Sequence, residues 1–98
     1  MSELQFHPDV SQDLKEAYIW YESQSSGLGE DFLFELETAF SLIHNMPNSW
    51  PIIPTGFRRY LLKRLPYGVI YKVKESYIFV VAVMHLSKRP NSWRKRTK

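Results

Sequence analysis

Arg58, Arg59, Lys63 and Arg64 crowd into one short stretch, interleaved with Tyr60. Guanidinium groups grip phosphate or carboxylate through two parallel hydrogen bonds, and aromatic rings offer stacking platforms for bases. Tyr67 and Tyr71 follow, four residues apart, so a strand places both on one face. His85 ends the last apolar run, and Lys88, Arg89, Trp93 and Arg94 come after it. Of these residues His85 alone trades protons near neutral pH without help. The ordinary alternatives are a hydrogen-bonded histidine at a strand end and, for Arg58 and Arg59, structural pairing with helix carboxylates.

Other chemistry finds little support. The four glycines are scattered, so no phosphate-binding loop is present. His7, His44 and His85 fall on different expected elements, without metal-ligand spacing, and there is no cysteine. No Ser-His-Asp arrangement can be argued from spacing. Neither a metal nor a cofactor is expected.

The charge is divided along the chain. Residues 1–57 set Lys15 against nine carboxylates, a balance of −8, whereas residues 58–98 set twelve Lys and Arg against Glu75, a balance of +11. Acidic helices packed on a basic sheet would produce this pattern, and so would a surface for a polyanion or an acidic partner.

The elements that must position these groups follow from periodicity. Leu4 to His7 alternates apolar and polar residues, as a short strand does. Pro8 suits a first helical position, and Val10, Leu14, Ala17, Tyr18 and Tyr21 recur at helical spacing up to about Gln24. Gly27-Leu28-Gly29 opens a second helix whose apolar face carries Phe32, Leu36, Ala39, Phe40 and Ile43, and Pro47 stops it. The short link predicts an antiparallel helical hairpin. An extended connector runs from Pro47 to Gly56. Three strands follow, over Phe57–Arg64, Tyr67–Lys74 and Tyr77–Leu86, the last almost wholly apolar and so expected to be buried on both faces. Short turns make them an antiparallel meander.

The fold class is therefore α+β, ordered strand-helix-helix-strand-strand-strand, with a helical hairpin packed on an antiparallel sheet. The helices would cover one face and leave the other to water or a partner. Phe40 and Val81, each central to its apolar pattern, are expected in one core. The basic tail has one large apolar anchor, Trp93.

Ninety-eight residues make a single domain, 1–98, with a modest core that must hold without disulfides. No apolar run approaches the ~20 residues of a membrane span, so no membrane partner is expected. The opening Met-Ser-Glu-Leu-Gln-Phe has neither a basic region nor an apolar stretch, so no signal peptide and a cytoplasmic location are expected.

The run from Arg58-Arg59-Tyr60 through Leu65-Pro66-Tyr67-Gly68-Val69-Ile70-Tyr71 resembles the central signature of the RelE/ParE toxins. The ending Ala82-Val83-Met84-His85, with Arg89-Pro90, Trp93 and Arg96, resembles the same family, as do Asp13-Leu14, Trp20-Tyr21-Glu22 and Gly27-Leu28-Gly29 with Phe32. Nearly the whole chain takes part.

The resemblance implies the toxin of a bacterial type II toxin–antitoxin module, held inactive by a cognate antitoxin, with a fold that agrees with the one read above. RelE-like members cut messenger RNA on the ribosome without metal, and carry an arginine inside the Tyr-x-Val-Ile-Tyr stretch. This chain has Gly68 there, and glycine cannot stabilise a phosphorane. ParE-like members bind and poison DNA gyrase, which needs a surface and no active site, so this is the expected function. Leu65 stands where the family often has phenylalanine, a minor departure.

A metal-free mRNA endoribonuclease is the alternative, with Arg59, His85 and Lys88 as its catalytic candidates. A non-toxic nucleic-acid-binding module is a lesser one. The partner-binding set expected on the basic sheet is Arg58, Arg59, Lys63, Arg64, Tyr67, Tyr71, Lys88, Arg89, Trp93 and Arg94.

Overall fold

The computed structural model describes residues 3–89 and 92–97; Pro90, from the terminal signature, lies outside them. Strand β1 (Glu3–Phe6) leads into helix α1 (Val10–Gln24) and helix α2 (Leu28–Asn45). Strands β2 (Arg58–Leu61), β3 (Tyr67–Val73) and β4 (Tyr77–His85) follow, and Arg94–Thr97 forms a single 3-10 turn. The sheet order is β1-β4-β3-β2. The last three strands form the expected antiparallel meander, and β1 adds to the outside of β4 in parallel, which makes the sheet mixed. The intervening helical hairpin gives the chain the length to return for a parallel pairing.

The hairpin is tight because glycine allows it. Gly27 turns with φ 90°, in the left-handed region. Gly29 lets the helices touch: a Cβ there would lie 2.8 Å from both the Tyr18 ring and Glu22 Oε1. Glu22 uses this closeness. Its carboxylate accepts the backbone N–H of Gly27 at 3.0 Å and of Gly29 at 2.9 Å, serving donors that α2 leaves unpaired at its start.

The main core lies between the hairpin and the sheet. Phe32, Leu36, Ala39 and Ile43 of α2 meet Val69 and Tyr71 of β3 and Ile78, Val80 and Val83 of β4. Tyr21, Phe32 and Tyr67 form an aromatic knot, with centroids 5.2–5.9 Å apart, that ties both helices to β3.

Strand β4 is buried on both faces, as its apolar run predicts, but its side chains do not alternate throughout. Ile70 pairs with Ala82 and Tyr71 with Val80, so Val81 is an extra residue without a partner across the ladder. This β-bulge resets which face each later side chain meets. Val80 and Val83 face the helices, while Val81 and Ala82 face the other way, into a second cluster with Phe57, Ile70 and Trp93. Phe40 and Val81 therefore do not share a core. Phe40 is half-buried at the margin of the main one, edge-on to Phe6 with centroids 5.2 Å apart.

The second cluster also corrects the expectation of an open sheet face. The tail returns across the outer side, where the Trp93 ring packs 4.8 Å from Phe57, and Lys72 caps the Phe57 ring at 5.2 Å. Among the described residues no helix is long and apolar enough to cross a membrane.

Candidate functional site

Strand parity divides the basic stretch. On β2, Tyr60 faces the main core, so Arg58 shares its side and Arg59 and Leu61 point outward. Arg58 does not pair with a helix carboxylate. Its guanidinium donates to the carbonyls of Trp50 at 2.7 Å and Asn48 at 3.3 Å, holding the connector against the sheet. Arg64 makes the helix pairing instead: its backbone N–H donates to Glu35 at 2.8 Å and its Nε at 3.4 Å. Lys63 is exposed beside it.

Tyr67 and Tyr71 share a face as expected, but it is the face under the helices. Tyr71 is wholly buried, and its hydroxyl donates to the Pro47 carbonyl at 2.6 Å. Burial pushes its phenol up to about 12, with Arg58 opposing weakly. Burial also raises the Tyr67 phenol, helped by Asp13 and Glu16. Tyr71 thus presents nothing to a partner, and Tyr67 belongs to the aromatic knot. Trp93 is a second correction. It is 4% exposed, so it anchors the tail and cannot serve as a contact surface.

Part of the basic set does converge. Arg59, His85, Lys88 and Arg89 line one cleft of about 330 Å³ on the outer face. Gly68 lies in its floor with Ile70 and Met84, and Ile53, Pro54 and Leu86 contribute its walls. Every charged residue in this lining is basic. The stem of Arg59 passes over Gly68, so a Cβ at that position would meet Arg59 Cγ at 3.4 Å.

His85 sits at the strand end, its ring edge-on to Tyr67 with centroids 5.2 Å apart. Its Nδ1 accepts the Ser87 backbone N–H at 3.0 Å. Arg94 is exposed on the 3-10 turn, outside the cleft. Among the described residues no group of three His, Asp or Glu is placed to hold a metal.

The tail, whose Trp93 lines the cleft, is tied to α1 by a pair of residues far apart in the sequence. The Arg96 guanidinium meets the Asp13 carboxylate in two parallel bonds of 2.8 Å, and it also donates to the Val81 carbonyl at 3.0 Å. Asp13 in turn accepts the Val83 N–H at 3.1 Å. Strand β1 ends opposite Val80, so these two side chains serve the β4 backbone where no first strand runs beside it. The bulge, the tail and α1 are locked together at this point. The hydrogen bonds that Arg96 donates to Asp13, reinforced by the carboxylate's charge, raise the Arg96 pKa against the effect of burial. The available signal was that both residues sit within the family-like stretches, 83 positions apart.

A family model described as the ParE toxin of type II toxin–antitoxin system, parDE, matches residues 4–90. The chain therefore belongs to the ParE toxin family. Among solved structures, a chain of the chromosomal ParDE toxin–antitoxin system from P. aeruginosa superposes with a TM-score of 0.77. The match covers 89% of this chain and 98% of that one at 17% identity, a likeness of fold. No curated protein gives a significant match.

Proposed function

We propose that this toxin arrests growth in the cytoplasm by poisoning DNA gyrase, and that a cognate antitoxin silences it by covering the basic outer face. Gly68 is the observation that carries the target reading. At the centre of the cleft, where RelE-like nucleases place an arginine, this chain offers no side chain. Ribonuclease chemistry needs a base near the 2′-hydroxyl, an acid near the leaving oxygen and positive charge on the phosphate. The positive charge is present, but Tyr71 is buried beneath the helices, and burial makes Tyr67, the tyrosine that packs against the His85 ring, harder to ionise. A gyrase poison needs only a surface, and the exposed Arg94 and Lys95 of the tail supply one.

One observation favours the second reading: Arg59, His85 and Lys88, its three catalytic candidates, line the same cleft. Basic residues can substitute for one another in electrostatic stabilisation.

A supercoiling assay run beside a translation assay separates the two. The gyrase reading expects inhibited supercoiling, intact messages, and growth arrest that survives His85→Ala but weakens with Arg94→Ala. Messages cut on ribosomes, with the cuts abolished by His85→Ala in a folded protein, would transfer the assignment to the nuclease.

A further inference from the structure

The cleft continues beyond the cationic site. A neighbouring hollow of about 250 Å³, lined by Trp50, Pro51 and Leu61, shares Ile53 and Arg59 with it. The two make one groove across the outer face of β2, β3 and β4, where Leu61, Gly68 and Met84 stand side by side in register. Three strands about 4.8 Å apart, with the extension past Leu61, span roughly 15 Å, the reach of four or five extended residues. The floor is aliphatic and the ionic residues around it are all basic: Arg59, Lys88 and Arg89. Leu61 and Leu86 are each about half exposed at its margins.

We infer that this groove seats a short extended polypeptide segment that carries one apolar side chain between carboxylates, contributed by the antitoxin. The inference rests on the reading that an antitoxin covers this face, and it specifies the chemistry of the segment that does so. Charge complementarity selects an anion, because the groove contains no carboxylate of its own. The aliphatic floor selects peptide over nucleic acid. In the cationic half the Trp93 ring is buried and the His85 ring packs edge-on against Tyr67, its register partner, which leaves bases no open stacking platform there.

Gly68 lies in the floor, between Leu61 and Met84 in register. It lies under the stem of Arg59 and the end of Leu61, side-chain atoms that an incoming group can displace more readily than backbone. With no Cβ on Gly68, an apolar anchor that moves these two side chains aside reaches the backbone of β3.

The test titrates a synthetic peptide, acetyl-Asp-Asp-Leu-Glu-Asp-amide, into the full-length isotope-labelled protein and follows its amide resonances. Expected are shifts at Gly68, Met84 and Lys88, an affinity that falls with added salt, and a loss of about tenfold or more with Lys88→Glu. Gly68→Val should block the groove to the same degree, because its methyl groups fill the space between the Arg59 stem and Leu61. If that variant does not fold, the charge reversal at the exposed Lys88 carries the test alone.

Unchanged resonances would overturn the proposal. So would equal binding by the Lys88→Glu protein, or larger shifts at the same amides from hexauridylate RNA than from the peptide. Co-purification of the toxin with the product of the adjacent open reading frame tests the antitoxin reading separately. A failed peptide titration beside a stable complex would sink the groove and leave the antitoxin in place.

Discussion

Replacing Arg96 by methionine keeps the side-chain stem but removes the head that joins the tail, α1 and the β4 bulge. Two charge-assisted hydrogen bonds to Asp13 disappear, and the Val81 carbonyl loses its donor. Removing one partner of a buried ion pair destabilises by about 3–5 kcal/mol, because the other charge stays behind uncompensated. Here the side chains keep 16% and 12% of their exposure, and Asp13 still accepts the Val83 N–H, so water and backbone soften the loss. The Val81 carbonyl adds about 1 kcal/mol, as a poorly satisfied backbone acceptor does. A net destabilisation of about 2–4 kcal/mol is expected, which lowers the melting temperature of a domain this size by roughly 10–25 °C.

Urea unfolding of the purified protein measures the effect, with the m-value checking that the transition keeps its character. Asp9→Asn is the internal control. Asp9 lies 3.7 Å from the same guanidinium but is 61% exposed, so its removal should change stability by less than about 1 kcal/mol. A cycle pairing Asp13→Asn with Arg96→Met should give a coupling of about 1–3 kcal/mol. If Arg96→Met unfolded within 0.5 kcal/mol of the parent (~2 °C), the tail would be held by Trp93 alone and the clamp argument would be wrong.

Two further outcomes follow from burial. Because the folded-state pKa of Tyr71 is raised to about 12, the unfolded chain loses this proton first as pH climbs from about 10, and stability should fall by about 2–3 kcal/mol across that window. Tyr21, Tyr60 and Tyr67 shift the same way, so Tyr71→Phe should flatten part of the alkaline decline in urea midpoints, while losing about 1–3 kcal/mol at neutral pH from the orphaned Pro47 carbonyl. Phe32→Ala, in the centre of the main core, should destabilise by about 3–5 kcal/mol, whereas Phe40→Ala at its margin should lose only about 1–2 kcal/mol; thermal melts that ranked them the other way would mean the α2 face is misplaced.

The sequence by itself determined the elements and their order. The helical spacing from Val10 to Tyr21, the Gly27–Gly29 link and the apolar run from Tyr77 reflect local preferences, and each became the helix, hairpin turn or strand it signalled. It also showed that the cationic residues cluster, because charge is read directly from composition, and Arg59, Lys88 and Arg89 do share one cleft. What it could not determine was which way side chains face. A period-two argument puts Tyr67 and Tyr71 together but does not say on which side of the sheet, and only the docking of α2 decides that they are buried beneath it. One unpaired residue in β4 moves Val81 out of the main core, and a bulge leaves no sure mark in an unbroken apolar run. The Asp13–Arg96 lock joins residues 83 positions apart, across a distance that only the folded chain closes. Trp93 read equally well as anchor or contact surface until the tail's return over Phe57 supplied the ring that buries it.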